Sequence, residues 1–149
     1  MRKINLIVLH CSATRETMEY TPEQLERDHK ARGFFSAGYN YYIRRSGEVV
    51  PMRPPEQIPA HVKGYNAFSL GICYEGGLDA GGYPKDTRTE RQKLSIRGLL
   101  LLLLVRYPGC RICGHRDLSP DRNGDGKITR DEWLKECPCF DAEEEYGIL

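Results

Sequence analysis

Ile4-Asn5-Leu6-Ile7-Val8-Leu9-His10-Cys11-Ser12 is the stretch on which the fold turns. The largely apolar run from Ile4 to Leu9 has the length and composition of a buried strand. It ends on an imidazole and a thiol. A second extended run, Arg111 to Gly114, ends in the same way on His115. Between them lie alternating helix and strand signals. Thr21-Pro22-Glu23-Gln24 is a capping box with proline at the first helical position. It predicts a helix from Pro22 to about Arg32, stopped by Gly33. Tyr41 to Arg45 and Glu48 to Met52 read as a hairpin around Ser46-Gly47. Pro51 to Pro59 is rich in proline and predicts an irregular loop. Leu70 to Tyr74 reads as a buried strand bounded by glycines. Thr89-Glu90-Arg91-Gln92 is a second capping box, opening a helix to about Arg106 that Pro108-Gly109 stops. Its Leu99 to Val105 portion is apolar nearly all round, which predicts burial on a sheet. A last short helix is expected at Ala142 to Tyr146. Interleaved strands and helices predict an α/β domain with a central mixed β-sheet flanked by helices. No repeat or linker divides residues 1–149, so one domain is expected.

Charge narrows the function classes. Lys and Arg total 22 against 21 Asp and Glu, and the pI is near 7.6. A nucleic-acid footprint needs a strongly basic face, so no nucleic-acid partner is expected. The apolar run Leu99 to Val105 is too short to span a bilayer. Met1-Arg2-Lys3 followed by Ile4 to Leu9 looks like a signal peptide, but the apolar stretch is too short. Synthesis in the cytoplasm without a signal peptide is the expectation. In that reducing compartment the six cysteines are expected as free thiols.

Three separated segments carry the chemistry: Val8 to Thr14, Gly114-His115-Arg116-Asp117, and Lys135-Glu136-Cys137-Pro138-Cys139-Phe140-Asp141. Two imidazoles and one thiolate leave one position of a tetrahedral zinc ion open, as in catalytic rather than structural sites. Taken alone, His10 reads as a hydrogen-bonded core histidine; the company of His115 and Cys137 reverses that reading. Asp117 is an alternative third ligand, but it lies only two residues from His115 and suits a supporting role better. Cys139 is the rival thiolate. A four-cysteine site from Cys110-x-x-Cys113 and Cys137-x-Cys139 is disfavoured, because alternation along a strand points Cys110 and Cys113 to opposite faces. Cys11, Cys73 and Cys113 suit small core positions. His29, inside the first helix, reads as structural.

In this order the segments resemble the zinc-dependent N-acetylmuramoyl-L-alanine amidases, a family that includes amidase-type phage lysozymes and the peptidoglycan recognition proteins. Further matches are Ala37-Gly38-Tyr39-Asn40-Tyr41 with Arg45-Ser46-Gly47-Glu48, Ala60-His61-Val62-Lys63-Gly64-Tyr65-Asn66, and Ser69-Leu70-Gly71-Ile72-Cys73. The likeness runs from Ile4 to Asp141. It implies an amidase/peptidoglycan-recognition-protein-like fold, with zinc held by His10, His115 and Cys137. It implies that Tyr39 and Lys135 are catalytic, as donors to the oxyanion formed on the scissile carbonyl. His61 and Asn66 are expected to bind substrate, against a plain surface-loop reading for His61. Without the match Tyr39 would be a packed strand aromatic. The implied reaction is hydrolysis of the amide joining N-acetylmuramic acid to L-alanine in peptidoglycan, by a monomer. The alternative is a catalytically weak peptidoglycan-binding module; retention of Cys137 and Lys135 favours turnover.

The chain departs from the phage enzymes between Leu118 and Lys135. The inserted Asp121-Arg122-Asn123-Gly124-Asp125-Gly126-Lys127-Ile128-Thr129-Arg130-Asp131-Glu132 follows the calcium-loop pattern of an EF-hand. Asp121, Asn123, Asp125, Lys127 and Glu132 are the candidate calcium ligands, with Gly126 at the turn and Ile128 at the apolar eighth position. The competing reading is a polar turn in which Thr129 and Glu132 cap a short helix. No partner loop is visible, so any calcium role is expected to be structural. A calcium-responsive regulator would usually need paired loops and an exposed apolar groove.

Overall fold

The structure is a computed structural model describing residues 2–149. Met1, the first residue of the basic N-terminal tripeptide, lies outside the described residues. The strands are β1 (Leu6–Cys11), β2 (Thr14–Arg15), β3 (Tyr41–Ile43), β4 (Val49–Pro51), β5 (Ser69–Tyr74), β6 (Gly77–Leu78) and β7 (Arg111–Gly114). The helices are α1 (Pro22–Ala31), α2 (Glu90–Arg106) and α3 (Ala142–Tyr146). Five strands form one mixed sheet in the order β4-β3-β5-β1-β7. β1 lies at its interior and pairs in parallel with both β5 and β7. Only the β3–β4 hairpin is antiparallel. Both long helices start as their sequences predict: Thr21 and Thr89 each cap the amide three residues on, and Gln24 and Gln92 return the bond.

Period-two alternation sorts β1 between two layers. Ile7, Leu9 and Cys11 join the larger core with Leu70, Ile72 and Tyr74 of β5, Ile96, Leu100 and Leu103 of α2, and Phe140 and Tyr146 near the C-terminus. Leu6 and Val8 face the other way, onto Val62 and Cys113. Leu25 of α1 packs on that second face against Tyr42 and Cys73. His10, next in the Leu6–Val8 series, therefore emerges on the face opposite α2. Leu100 is fully buried, so Leu100→Ala should cost about 2–5 kcal/mol, read as a lower midpoint in denaturant titration.

One expectation about α2 is corrected. Its apolar stretch is not buried all round: Leu100 and Leu103 are covered, whereas Leu101 is 43% exposed, Leu102 72% and Val105 84%. A helix laid on one side of a sheet covers only the stripe that faces it, and no described element forms a further layer outside α2. The short parallel pair β2–β6 went unforeseen, because two-residue strands carry no periodicity.

Candidate metal centre and catalytic cleft

The site forms at the carboxyl ends of the central parallel strands, where open α/β sheets place their crevices. Leu9 of β1 lies level with Gly114 of β7, so the next residues, His10 and His115, become neighbours. Their ring centroids are 4.7 Å apart. Cys137 arrives from a remote part of the chain and is pinned from several directions. The Arg116 amide donates to its carbonyl at 2.9 Å. The Tyr74 hydroxyl donates to the Pro138 carbonyl at 2.6 Å. Gly114 leaves room for the Pro138 ring, since a Cβ there would stand 2.6 Å from Pro138 Cδ. The Cys11 amide donates to Cys137 Sγ at 3.2 Å. Cys137 Sγ lies 3.9 Å from His10 Nδ1.

The donor atoms of His10, His115 and Cys137 all lie within 4.8 Å of one another. Two neutral imidazoles and a thiol converging on one point fit a borderline-soft divalent metal. Burial drives the His10 pKa well below its usual value, with His61 and His115 adding to the effect. Burial, helped by Lys135, lowers His115 to about 4. Both rings are therefore neutral near pH 7, as ligation requires.

Rival ligands are drawn elsewhere. Asp117 accepts the Gly114 amide at 2.7 Å and so braces the turn that carries His115. Cys139 Sγ faces the Gly77 carbonyl at 3.4 Å and Cys11 Sγ at 4.0 Å. Cys110 packs with the α2-side core and Cys113 with the opposite one, which removes the four-cysteine arrangement. All six cysteines are free.

Tyr39 and Lys135 line the same cleft as His115 and Cys137, a cavity of about 370 Å³. The Tyr39 ring lies 5.0 Å from that of His10 and 5.4 Å from that of His29. Burial pushes its hydroxyl pKa well up, with Cys73, Cys137 and Cys11 adding to the rise, so the phenol stays protonated and able to donate. His29 supports it indirectly: its Nδ1 accepts the Gly38 amide at 2.8 Å. Gly38 has a second constraint, since a Cβ there would drive into the Ala60 carbonyl oxygen. Gly38→Ala should therefore cost about 1–3 kcal/mol through overpacking. It should also displace Tyr39, so melting temperature and turnover should fall together. Lys135 is exposed and borders an adjoining cavity of about 260 Å³ with His115, Lys63 and Leu134.

His61 and Asn66, the expected substrate-binding residues, both make defined contacts within the protein. Asn66 Oδ1 accepts the amides of His61 and Val62, both at 2.9 Å, and so organises the loop. His61 lines the cleft, but both its ring nitrogens are engaged within the protein. Nδ1 lies 2.7 Å from His10 Nε2 and Nε2 lies 2.8 Å from Ser69 Oγ. Sequence reading missed Ser69, because a serine at a strand start carries no distinguishing signal.

In the insertion, carboxylate oxygens of Asp121, Asp125 and Glu132 lie within 4.8 Å of one another. Asx turns at Asn123 and Asp125, and Asp121 accepting the Gly124 and Gly126 amides, shape the loop. Half of the capped-turn reading is realised as well: the Thr129 amide donates to Glu132 Oε1 at 3.1 Å over the 3-10 turn Arg130–Glu132. Glu132 also accepts the Arg122 amide at 2.6 Å. The insertion leans on the site through Trp133, whose ring lies 3.8 Å from the guanidinium carbon of Arg116.

The mixed sheet thus carries His, His and Cys donors, close enough to share one metal ion, at the carboxyl edge of its central parallel strands. The chain belongs to the N-acetylmuramoyl-L-alanine amidase family, whose model matches residues 1–132. It is 38% identical over 135 residues to an endolysin of Klebsiella phage KP32, covering 91% of this chain and 80% of that protein. Among solved structures it is similar to the N-acetylmuramoyl-L-alanine amidase LysC from Clostridium intestinale. That match has a TM-score of 0.70 and 27% identity, and covers 92% of this chain and 77% of that one. It is also similar to the complex of tracheal cytotoxin with the ectodomains of peptidoglycan recognition proteins LCa and LCx. There the TM-score is 0.71 and the identity 26%, over 99% of this chain and 81% of that one. Among the described residues no helix is long and apolar enough to cross a membrane.

Proposed function

We propose that this chain is a zinc-dependent amidase that hydrolyses the bond between N-acetylmuramic acid and L-alanine in bacterial peptidoglycan. The observation that carries the reading is the convergence of His10, His115 and Cys137 at a cleft lined by His115, Cys137, Tyr39 and Lys135. Family membership and the endolysin relative support the substrate class. A zinc ion held by those three side chains would supply a Lewis acid for the scissile carbonyl and a water of lowered pKa. The protein's own groups do the rest. The Lys135 ammonium and the protonated Tyr39 hydroxyl donate to the oxyanion as it develops. Such preorganised donors are worth most where charge appears only in the transition state. His10 and His115 stay neutral because they are buried. The Cys11 amide donates to the Cys137 sulfur, and Asp117 fixes the turn behind His115.

The test is digestion of purified peptidoglycan by zinc-loaded protein, read by mass spectrometry. Release of peptide stems with free L-alanine amino ends is expected. Binding to sacculi without release of stems would leave a peptidoglycan-binding module and overturn the enzyme reading.

The same reading assigns the Asp121–Glu132 loop a structural calcium ion held by Asp121, Asn123, Asp125, Glu132 and the backbone carbonyl of Lys127. Ligand spacing and the close carboxylates support it. A cation bound only by the folded state raises stability by mass action, by about 2.7 kcal/mol at a hundredfold excess over Kd. Millimolar calcium should raise the melting temperature of zinc-loaded protein, and Asp125→Ala should remove that rise without releasing zinc. An unchanged melting temperature would reduce the loop to its capped turn.

A further inference from the structure

We propose that His61 is a positioning residue: with Ser69 behind it, it fixes the orientation and tautomer of the metal ligand His10 and thereby sets metal affinity. This rests on the zinc reading above. The geometry is specific. His10, Ser69 and Gly71 stand on one face of the sheet, because β1 and β5 are in parallel register with Leu6 opposite Ser69, Val8 opposite Gly71 and His10 opposite Cys73. The His61 imidazole lies directly over Gly71, where a Cβ would stand 2.9 Å from His61 Nδ1. Any larger residue at that position would lift the ring off the sheet. From this seat the ring spans the gap between its neighbours, 2.7 Å to His10 Nε2 and 2.8 Å to Ser69 Oγ. Asn66 anchors the backbone of the same loop by accepting the His61 and Val62 amides.

The contacts dictate a proton pattern. His10 Nδ1 is the nitrogen that faces Cys137 Sγ, so Nδ1 is the one available to the metal. Nε2 must then carry the proton, and it donates to His61 Nδ1. A neutral His61 accepting at Nδ1 carries its own proton on Nε2, which donates to Ser69 Oγ. Metal-binding histidines almost always give their second N–H to a carboxylate, carbonyl or water. Here an imidazole takes that place. It holds the ring without adding a negative charge next to the site. The arrangement also explains why a histidine beside the cleft offers no free ring nitrogen to a substrate.

The experiment measures zinc affinity of metal-free protein by competition with a chromophoric chelator, and imidazole tautomers by long-range proton–nitrogen NMR. Three variants are compared with the parent. His61→Phe fills the space without an acceptor and should weaken zinc binding by about tenfold to a hundredfold. His61→Asn replaces Nδ1 with an oxygen acceptor and should recover most of that loss. Ser69→Ala leaves the ring in place but removes its outer partner, and should give an intermediate loss. NMR of the parent should find His10 and His61 both protonated on Nε2. Parent-like zinc affinity in His61→Phe, or a His61 proton on Nδ1, would overturn the proposal. If His61→Phe does not fold, the NMR pattern and the Ser69→Ala affinity decide. If the parent itself binds no zinc, the zinc reading fails, and the tautomer measurement still judges the His10–His61–Ser69 contacts.

Discussion

Cys137→Ala is expected to lose tight zinc binding and to reduce peptidoglycan hydrolysis by about a thousandfold or more. The size follows from what the metal supplies. Lewis-acid stabilisation is worth several kcal/mol, and each 1.36 kcal/mol is about tenfold in rate. Two neutral imidazoles without the thiolate leave an under-coordinated ion. The fold should survive, because the segment keeps its other anchors: the Arg116 amide on the Cys137 carbonyl and the Tyr74 hydroxyl on Pro138. Cys139→Ala is the matched control. Its sulfur points to Gly77 and Cys11, so zinc content should stay near one per chain. Metal analysis beside a turbidity assay on sacculi reads both outcomes. Normal activity in Cys137→Ala, or zinc loss confined to Cys139→Ala, would move the third ligand.

Lys135→Ala should keep its zinc and lose about a hundredfold or more in kcat, the usual consequence of removing one oxyanion donor. The side chain is well suited to a clean test. It is exposed and borders both cavities beside His115, so it does little for the fold. Tyr39→Phe should behave alike. The phenylalanine ring keeps the packing on His10 and His29 and loses only the hydroxyl. The expected signature is a folded, zinc-loaded protein whose kcat falls much more than its KM changes. A loss confined to KM in both variants would make them substrate-binding groups and remove them from the transition state.

Much of this architecture was legible from local signals. The two capping boxes predicted the starts of α1 and α2 because a cap is a property of four consecutive residues. The apolar runs ending on His10 and His115 announced two buried strands, and the soft side chains at their ends marked a candidate metal site. Where reading failed, the missing information was non-local. The apolar portion of α2 could not tell which of its faces the sheet would cover, so Leu102 and Val105 were expected inside and lie outside. The inward contacts of the His61 ring with His10 and Ser69 were not foreseen, because nothing in Ala60 to Asn66 reveals that β5 passes beneath it.

The sequence alone therefore determined the main helices and strands and the α/β class, and it offered the candidate soft donors, all of which follow from side-chain chemistry and short-range spacing. Only the tertiary structure decided which donors meet. Cys137 and not Cys139 faces His10, because Pro138 docks on Gly114 and the Cys11 amide meets the sulfur. It also decided that His61 turns inward, because parallel register puts Ser69 and Gly71 beside His10 and the absent Cβ leaves an imidazole-sized seat on the sheet.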